Sequence, residues 1–237
     1  AILSGLHVEK KVDNGQWWNN IFKLIQIVLY HIIMIIISPS KNLNLKNEVF
    51  NFQQSSPFFA SQTKQIINKI KLLNFKEIKS LMNVSESLAK LNFERFEIFN
   101  SKSNIRKPAA FIFSGDTFNG LSIRSLNESD LEYAQINLRI LSGLYGILRP
   151  YDIIEPYRLE MGTKISKILG SSLYDFWKEK ITVKLNEEII NSKSLFLYNL
   201  ASEEYYSAID FGKLQWKKIN FDFKKLKNGK LSGIGMM

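Results

Sequence analysis

Residues 141–162 read LSGLYGILRPYDIIEPYRLEMG, and the residue types there suit one kind of chemistry. Gly143 and Gly146 stand three apart between apolar neighbours, and Arg149 follows three residues later. Glycines accept positive φ and leave backbone N–H groups uncovered, and such groups at a helix N-terminus or in a nest hold phosphate oxygens. Arg149 would add a charge-assisted contact. On this reading Ser142, Gly143, Leu144, Tyr145, Gly146 and Arg149 form a helix-hairpin-helix grip on a nucleic-acid backbone, a contact that carries no base information. The competing reading makes Gly143 an ordinary helix C-cap and Gly146 a packing glycine. Spacing alone favours it, since glycine caps close about a third to a half of helices.

A second set of polar residues lies where short apolar runs end. Ser38-Pro39-Ser40-Lys41 formally matches a serine acyl-enzyme motif, but that motif needs Ser and Lys on adjacent helical turns, and Pro39 after a strand argues against it. Lys41 could still meet an anion. Asp116 follows the turn Ser114-Gly115, and Asn199, Ser202, Glu204 and Tyr205 follow the run Leu195–Tyr198, with Ser202 a plausible helix N-cap. Arg158 and Glu160, two apart, face the same side if extended, and a structural ion pair is the default explanation. Open α/β sheets bind ligands beyond the carboxyl ends of their strands. Lys41, Asp116, Arg158, Glu160, Asn199, Ser202, Glu204 and Tyr205 are therefore candidates for a pocket taking an anionic small molecule or a nucleic-acid end. They could equally be caps and turns. Asp116, Asp152, Glu155 and Glu160 offer oxygens to Mg²⁺, but no spacing demands an ion, and no metal site or cofactor is assigned.

Composition narrows the field further. The chain has 237 residues, no cysteine, and only His7 and His31 as histidines. Thiolate chemistry, disulfides, zinc fingers and a Ser-His-Asp triad in the main domain are thereby excluded. Thirty-two basic against 22 acidic side chains leave a formal charge of +10, which suits an anionic partner such as nucleic acid. The excess of Lys over Arg, with abundant Asn, Ile and Phe, is also what an AT-rich genome produces. Position is more telling: residues 211–237 carry Lys213, Lys217, Lys218, Lys224, Lys225, Lys227 and Lys230 against the single acid Asp222.

The elements that must position these residues are helices alternating with few strands. Ile35–Ile37, Ala109–Phe113 and Leu195–Tyr198 read as short buried strands, and Trp216, Ile219, Phe221 and Phe223 lie in a later, partly alternating run. Asn228-Gly229 is a hairpin-turn signal. Residues 60–99 and 173–190 carry apolar residues at helical spacing. Ser129 with Glu132 forms a candidate capping box for a helix running through Leu131, Ala134, Leu138 and Leu141 to Gly143, with a short helical stretch from Tyr145 to Leu148 after it. The expected fold is a single α/β (or α+β) domain, a mixed sheet with flanking helices and an embedded helix-hairpin-helix element. Ile21–Ser38 is about the minimum length for a membrane span, but Lys23, Gln26 and His31 interrupt it, and no membrane association is expected. The chain begins with Ala, and Met34 stands where a first strand would start, so residues 1–33 read as leader or read-through.

The stretches IISPSKNL (36–43), FSGDTFNGL (113–121), AQINLRILSGLYGILRPYDIIEPYRLEMG (134–162), LYDFW (173–177) and NLASEEY (199–205) resemble, in order, the YaaA family of bacterial peroxide-stress proteins, long classed as a domain of unknown function. The resemblance covers Met34 to about Lys230. It implies a cytosolic, cytoplasmic protein of oxidative stress, associated with limiting free iron and so with sparing DNA from hydroxyl radicals. It further implies a single-domain DNA-binding protein of unusual α/β fold, with a helix-hairpin-helix element and a basic cleft. LSGLYGILRP matches that element, which turns the reading of Gly143, Gly146 and Arg149 toward phosphate. Residues 1–33 match nothing in the family and LSGIGMM (231–237) does not resemble its continuation, so the expected domain is 34–237, incomplete at its C-terminus. With neither Cys nor His in that domain, any iron effect is expected to be indirect or carboxylate-based. The favoured function is a monomeric, sequence-independent DNA binder; the alternative is an enzyme acting in the strand-end pocket, for which no nucleophile–base pair is visible.

Overall fold

The computed structural model describes residues 33–220, 224–227 and 230–233. Strand β1 (Ile33–Ile37, IMIII) is apolar at every position, the pattern of a strand covered on both faces, and Met34 and Ile36 are fully buried. It lies at the centre of a five-stranded sheet of order β6-β5-β1-β8-β9, with β5 at Leu138–Ser142, β6 at Gly146–Leu148, β8 at Phe196–Asn199 and β9 at Lys217–Asn220. β5 and β8 flank β1 in parallel, β9 is parallel to β8, and β6 returns antiparallel to β5. Two-residue pairs join β2 (Asn42–Leu43) to β4 (Phe113–Ser114) and β3 (Lys107–Pro108) to β7 (Ile153–Ile154). The chain leaves β1 toward β5 on one side and later reaches β8 on the other. The crevice between the carboxyl ends of β1 and β8 is thus a topological switch point.

The described helices are α1 (Ala60–Ile70), α2 (Phe75–Met82), α3 (Glu86–Glu97), α4 (Ala109–Ile112), α5 (Asp116–Leu121), α6 (Glu128–Asn137), α7 (Ser166–Leu169), α8 (Leu173–Ser192) and α9 (Glu203–Tyr206). α1 buries Thr63, Ile66, Ile67 and Ile70, one stripe of a 3.6-residue period. Asn74 and Glu77 close a reciprocal capping box at α2. α8 starts at Ser172, whose hydroxyl accepts from the Asp175 N–H, and buries Leu173, Trp177, Ile181, Leu185 and Ile189 at intervals of four. Each such fully buried side chain contributes roughly 1.5–3 kcal/mol over its exposed state. No helix among the described residues is long and apolar enough to cross a membrane, and the end of the Ile21–Ser38 candidate is β1 itself.

The single domain with a mixed sheet and flanking helices matches the expectation, but several elements differ from it. The helix expected to reach Gly143 stops at Asn137, because Leu138–Ser142 is needed as the neighbour of β1 and is buried throughout. Tyr145–Leu148, read as helical, instead supplies β6. Residues 138–148 are therefore a β-hairpin, not a helix-hairpin-helix. Ala109–Phe113, read as a strand, is a buried helical turn (α4) that leads into β4. α6 is capped by Asn127, which accepts from Asp130 N–H, rather than by a Ser129 box. Side chains beyond Ile219 and the turn Asn228-Gly229 lie outside the described residues; the backbone of β10 (Lys224–Lys227) and β11 (Lys230–Gly233) pairs antiparallel on either side of that turn.

Between β2 and α1 the chain crosses the surface as a strap, residues 44–55, which is tied at both ends. Lys107, 3% exposed, donates through Nζ to the carbonyls of Asn44 (3.0 Å) and Lys46 (2.9 Å) and to Glu48 Oε1 (2.8 Å). Arg124 meets the same carboxylate in two bonds, Nε to Oε2 at 2.9 Å and Nη2 to Oε1 at 2.8 Å. At the other end Ser55 donates from Oγ to Asp152 Oδ1 at 2.7 Å, and its backbone pairs with Tyr151 and Ile153. The Arg124 hydrogen bonds, helped by Lys107 against the cost of burial, hold the Glu48 carboxyl near 2 instead of 4.5. A folded-state value below the unfolded one means that the unfolded chain binds the extra proton. This tie therefore contributes fully above about 4.5 and is lost as pH falls toward about 2. Urea midpoints should drop more steeply across that window in the wild type than in Glu48→Gln; parallel profiles would show that the strap is not held by charge.

Candidate functional site

The polar residues after β1 and β8 meet across the switch-point crevice. Ser202 donates its N–H to Ser38 Oγ at 2.8 Å, and the two hydroxyl oxygens stand 3.1 Å apart. Ser202 was expected to cap α9 with its side chain; it occupies the N-cap position but makes no side-chain cap, because its hydroxyl is turned to Ser38. Asn199 is 1% exposed at the end of β8, and its Oδ1 accepts from Ala201 N–H at 3.2 Å, which shapes the loop. The loop after β1 also packs on the loop after β4. Ser40 donates to the Ser114 carbonyl, and Gly115, at φ 137°, lies so close that a Cβ there would stand 2.8 Å from Ser40 Oγ. Asp116 follows, exposed, in the first turn of α5.

Around this brace the charged candidates gather on one carboxylate. Glu160 accepts from Arg158 Nη2 at 2.7 Å through Oε1 and pairs with Lys41 Nζ at 3.2 Å through Oε2. The Arg158–Glu160 ion pair is the one expected from their spacing; Lys41 makes it a triad. Lys41 is 56% exposed and Arg158 only 19%, so the cluster has one inner and one outer cation. Glu204 accepts from Gly162 N–H at 3.1 Å, and the Tyr174 hydroxyl lies beside the same glycine. Burial, then the charges of Glu204 and Glu203, push the Tyr174 phenol up. Tyr205 is buried, and burial raises its phenol well above the ordinary value, assisted by Tyr157, Glu204 and Glu160. Of the eight candidates, then, Lys41, Arg158 and Glu160 form one contact network, and beside it lie Ser202, at the end of the loop after β8, and Glu204 and Tyr205 on α9. Asn199 shapes that loop, and Asp116 stands on the neighbouring turn.

Arg95 on α3 was missed by sequence reasoning. Its guanidinium is pushed below its usual range by burial and by the positive charge of Arg158. It donates to Asn92 Oδ1 at 3.3 Å and has no carboxylate partner among the described residues. No local signal marks it, since a lone Arg on an amphipathic helix looks like a solvated face. Asp152 and Glu155, offered as oxygen donors, are committed elsewhere. Asp152 is held by Ser55 and Arg149, and Glu155 by the Asn100 N–H, Asn104 and Arg106.

The glycine hairpin contains no open phosphate nest. Ser142, Leu144, Tyr145, Ile147 and Leu148 are buried, and Ser142 Oγ already accepts the N–H groups of Leu144 (3.2 Å) and Tyr145 (2.9 Å). A Cβ at Gly143 would stand 2.3 Å from the Leu159 carbonyl oxygen; one at Gly146, where φ is 74°, would stand 2.7 Å from the Trp177 ring. Trp177 Nε1 donates to the Gly143 carbonyl at 2.9 Å. Arg149 is engaged by the fully buried Asp152, with Nη2 2.9 Å from Oδ1, by the Ser56 carbonyl, and by the Phe58 ring face. The two glycines are required by backbone close approach inside the molecule, and Arg149 is held by an internal ion pair.

An open α/β protein with a cationic, hydroxyl-braced site at the carboxyl edge of its sheet is the class this geometry defines. The family model described as "Peroxide stress protein YaaA" matches residues 33–237. Among curated relatives, a UPF0246 protein of Francisella philomiragia is 43% identical over 207 residues, spanning 86% of this chain and 81% of its own length. One from Aliivibrio fischeri is 43% identical over 205 residues (85% and 79%), and one from Legionella pneumophila 38% over 208 residues (86% and 81%). The chain belongs to the peroxide stress protein YaaA family.

Gly143→Ala and Gly146→Ala should each cost roughly 1–3 kcal/mol or more, through overpacking at the first and overpacking plus positive φ at the second. Chemical denaturation checks this. An unchanged midpoint in either variant would return that glycine to a ligand role.

Proposed function

We propose that this member of the peroxide-stress family acts as a monomeric DNA-backbone binder, and that its phosphate contacts lie at the carboxyl edge of the sheet, not at the glycine hairpin. The observation that carries the reading is the charge arrangement around Arg158. Arg158 and Lys41 share the single carboxylate of Glu160, while the half-buried Arg95, its guanidinium lowered by burial and then by the charge of Arg158, has no carboxylate partner among the described residues. Two like charges held together cost free energy, and an anion bridging them relieves that cost. A phosphodiester fits in charge and in its capacity to take several N–H donors. Among the described residues no group of three or more His, Cys, Asp or Glu suits a metal ion. In this reading, protection from iron-driven damage comes from covering DNA rather than from holding iron.

A second reading is favoured by the position of the site at the topological switch point. There the Ser38–Ser202 brace, Glu204 and Tyr174 adjoin the cationic triad, as expected for an enzyme acting on an anionic small molecule or a nucleic-acid end. The two are separated by anisotropy of labelled duplex and bulged DNA with the full chain across a salt titration. Backbone binding predicts that Arg95→Gln/Arg158→Gln, folded by circular dichroism, binds about tenfold or more weakly. Its salt slope should be shallower by about one for each phosphate no longer neutralised. A folded double variant that binds like the wild type would overturn the proposal. Absence of DNA binding by the wild type, with thermal protection by a nucleoside monophosphate, would favour the enzyme.

A further inference from the structure

A cavity of ligand size lies away from the sheet edge. It lies between the strap and α6, has a volume of about 770 Å³, and is lined by aromatic rings from Phe50, Phe52, Phe111 and Tyr151. The three Phe rings pack on one another at centroid distances of 5.0–5.5 Å, and Phe52 stacks on Tyr151 at 3.9 Å. Such a volume is in the range of small-molecule sites, and an aromatic wall gives a ligand apolar area and ring faces.

The charged groups at this cavity run against the character of the chain. In a protein of formal charge +10, the cavity presents Glu48, Glu128 and Glu132 against one guanidinium, Arg124. Glu48 is satisfied by Arg124 and, from behind, by Lys107. Glu128 and Glu132, four apart on α6 and so on one face of it, are exposed and have no ion-pair partner among the described residues. Glu128 lies in the first helical turn, where the helix dipole explains one acid but not the pair. Tyr151 adds an independent observation. It is 2% exposed, lines the cavity, and its hydroxyl makes no hydrogen bond within the described protein. Burial first, then the charges of Glu132 and Glu128, raise its phenol to about 12, which puts this hydroxyl in a field of negative potential.

We propose that this cavity binds a free alkyl polyamine. An ammonium group would be shared by Glu128 and Glu132 and would donate to the unpartnered Tyr151 oxygen. The methylene chain would lie on the Phe50, Phe52 and Phe111 rings, where cation–π attraction also favours a positive head. A nucleobase extruded from DNA suits the rings but not the rim, because its phosphates would be brought against Glu128 and Glu132. The proposal is independent of the sheet-edge reading: it concerns other residues and a ligand of opposite charge.

The test is calorimetric titration of the full chain, free of DNA, with spermidine at low ionic strength, alongside Mg²⁺ titrated to matched ionic strength. Saturable one-to-one binding of spermidine is expected, weakened about tenfold or more in Glu128→Gln/Glu132→Gln and in Glu132→Gln alone. Tyr151→Phe should weaken spermidine binding while leaving the unliganded protein equally or more stable, because the variant removes a buried hydroxyl that has no partner. Absence of saturable binding, an equal response to Mg²⁺, or undiminished binding by the folded Gln variants would each overturn the proposal. DNA anisotropy on the Glu128→Gln/Glu132→Gln protein keeps its outcome separate from that of the sheet-edge site.

Discussion

The close approach of Trp177 to the bare backbone at Gly143 and Gly146 is the contact on which the site depends. The indole donates to the Gly143 carbonyl while its ring lies where a side chain on Gly146 would be. α8 is thereby fixed to the β5–β6 hairpin, and β5 is fixed to β1 by parallel pairing. The missing side chain at Gly143 admits the backbone of Leu159. That admission matters because Arg158 and Glu160 are the neighbours of Leu159, so the segment bearing the charges is seated by packing two steps removed from any ligand. The glycines contribute to function through placement rather than through contact, and shape complementarity in a dense interior is what makes the placement sharp.

The electrostatics at the sheet edge follow from how its carboxylates are engaged: Glu204 takes a backbone N–H, and Glu160 alone pairs with cations there. One carboxylate, Glu160, is shared between an inner arginine and an outer lysine, and a second arginine has only an amide oxygen beside it. Deep inside the protein the opposite rule holds. The buried Arg139 is paired with Glu188 on α8, and the fully buried Asp152 takes bonds from Ser55 and Arg149. Among the described residues these deeply buried charges are paired, as desolvation costs require.

The core strands and long helices were legible because their patterns are local: IMIII, the stripe of α1 and the four-residue rhythm of α8 can be read without knowledge of the fold. The hairpin at 138–148 was misread for a tertiary reason. LRILSGLYGIL has apolar residues compatible with either period, and the decision belongs to β1, which needs a parallel neighbour a hundred residues downstream. Lys41 and Glu204 were legible as polar residues after apolar runs, and Arg158 and Glu160 by their spacing. The approach of Arg95 to Arg158 was not, since α3 is brought there by packing. The polar rim of the aromatic cavity was invisible for the same reason: its rings come from an irregular strap, α4 and the turn before β7, which no local period connects.

The position of β1 at the centre of the sheet also sets a schedule for synthesis. Its register partners are Leu138–Ile140 on one side and Phe196–Asn199 on the other, and the Ser38–Ser202 brace spans 164 residues. At ribosomal rates of about 5–20 residues per second, Ile33–Ile37 emerges roughly 8–30 seconds before its second neighbour exists. During that interval a run of five apolar residues has an unpaired strand edge, the kind of segment that associates with other nascent chains. A protein of this topology depends on being shepherded, or on early helices such as α1 to α3 covering the strand, before its own architecture can protect it.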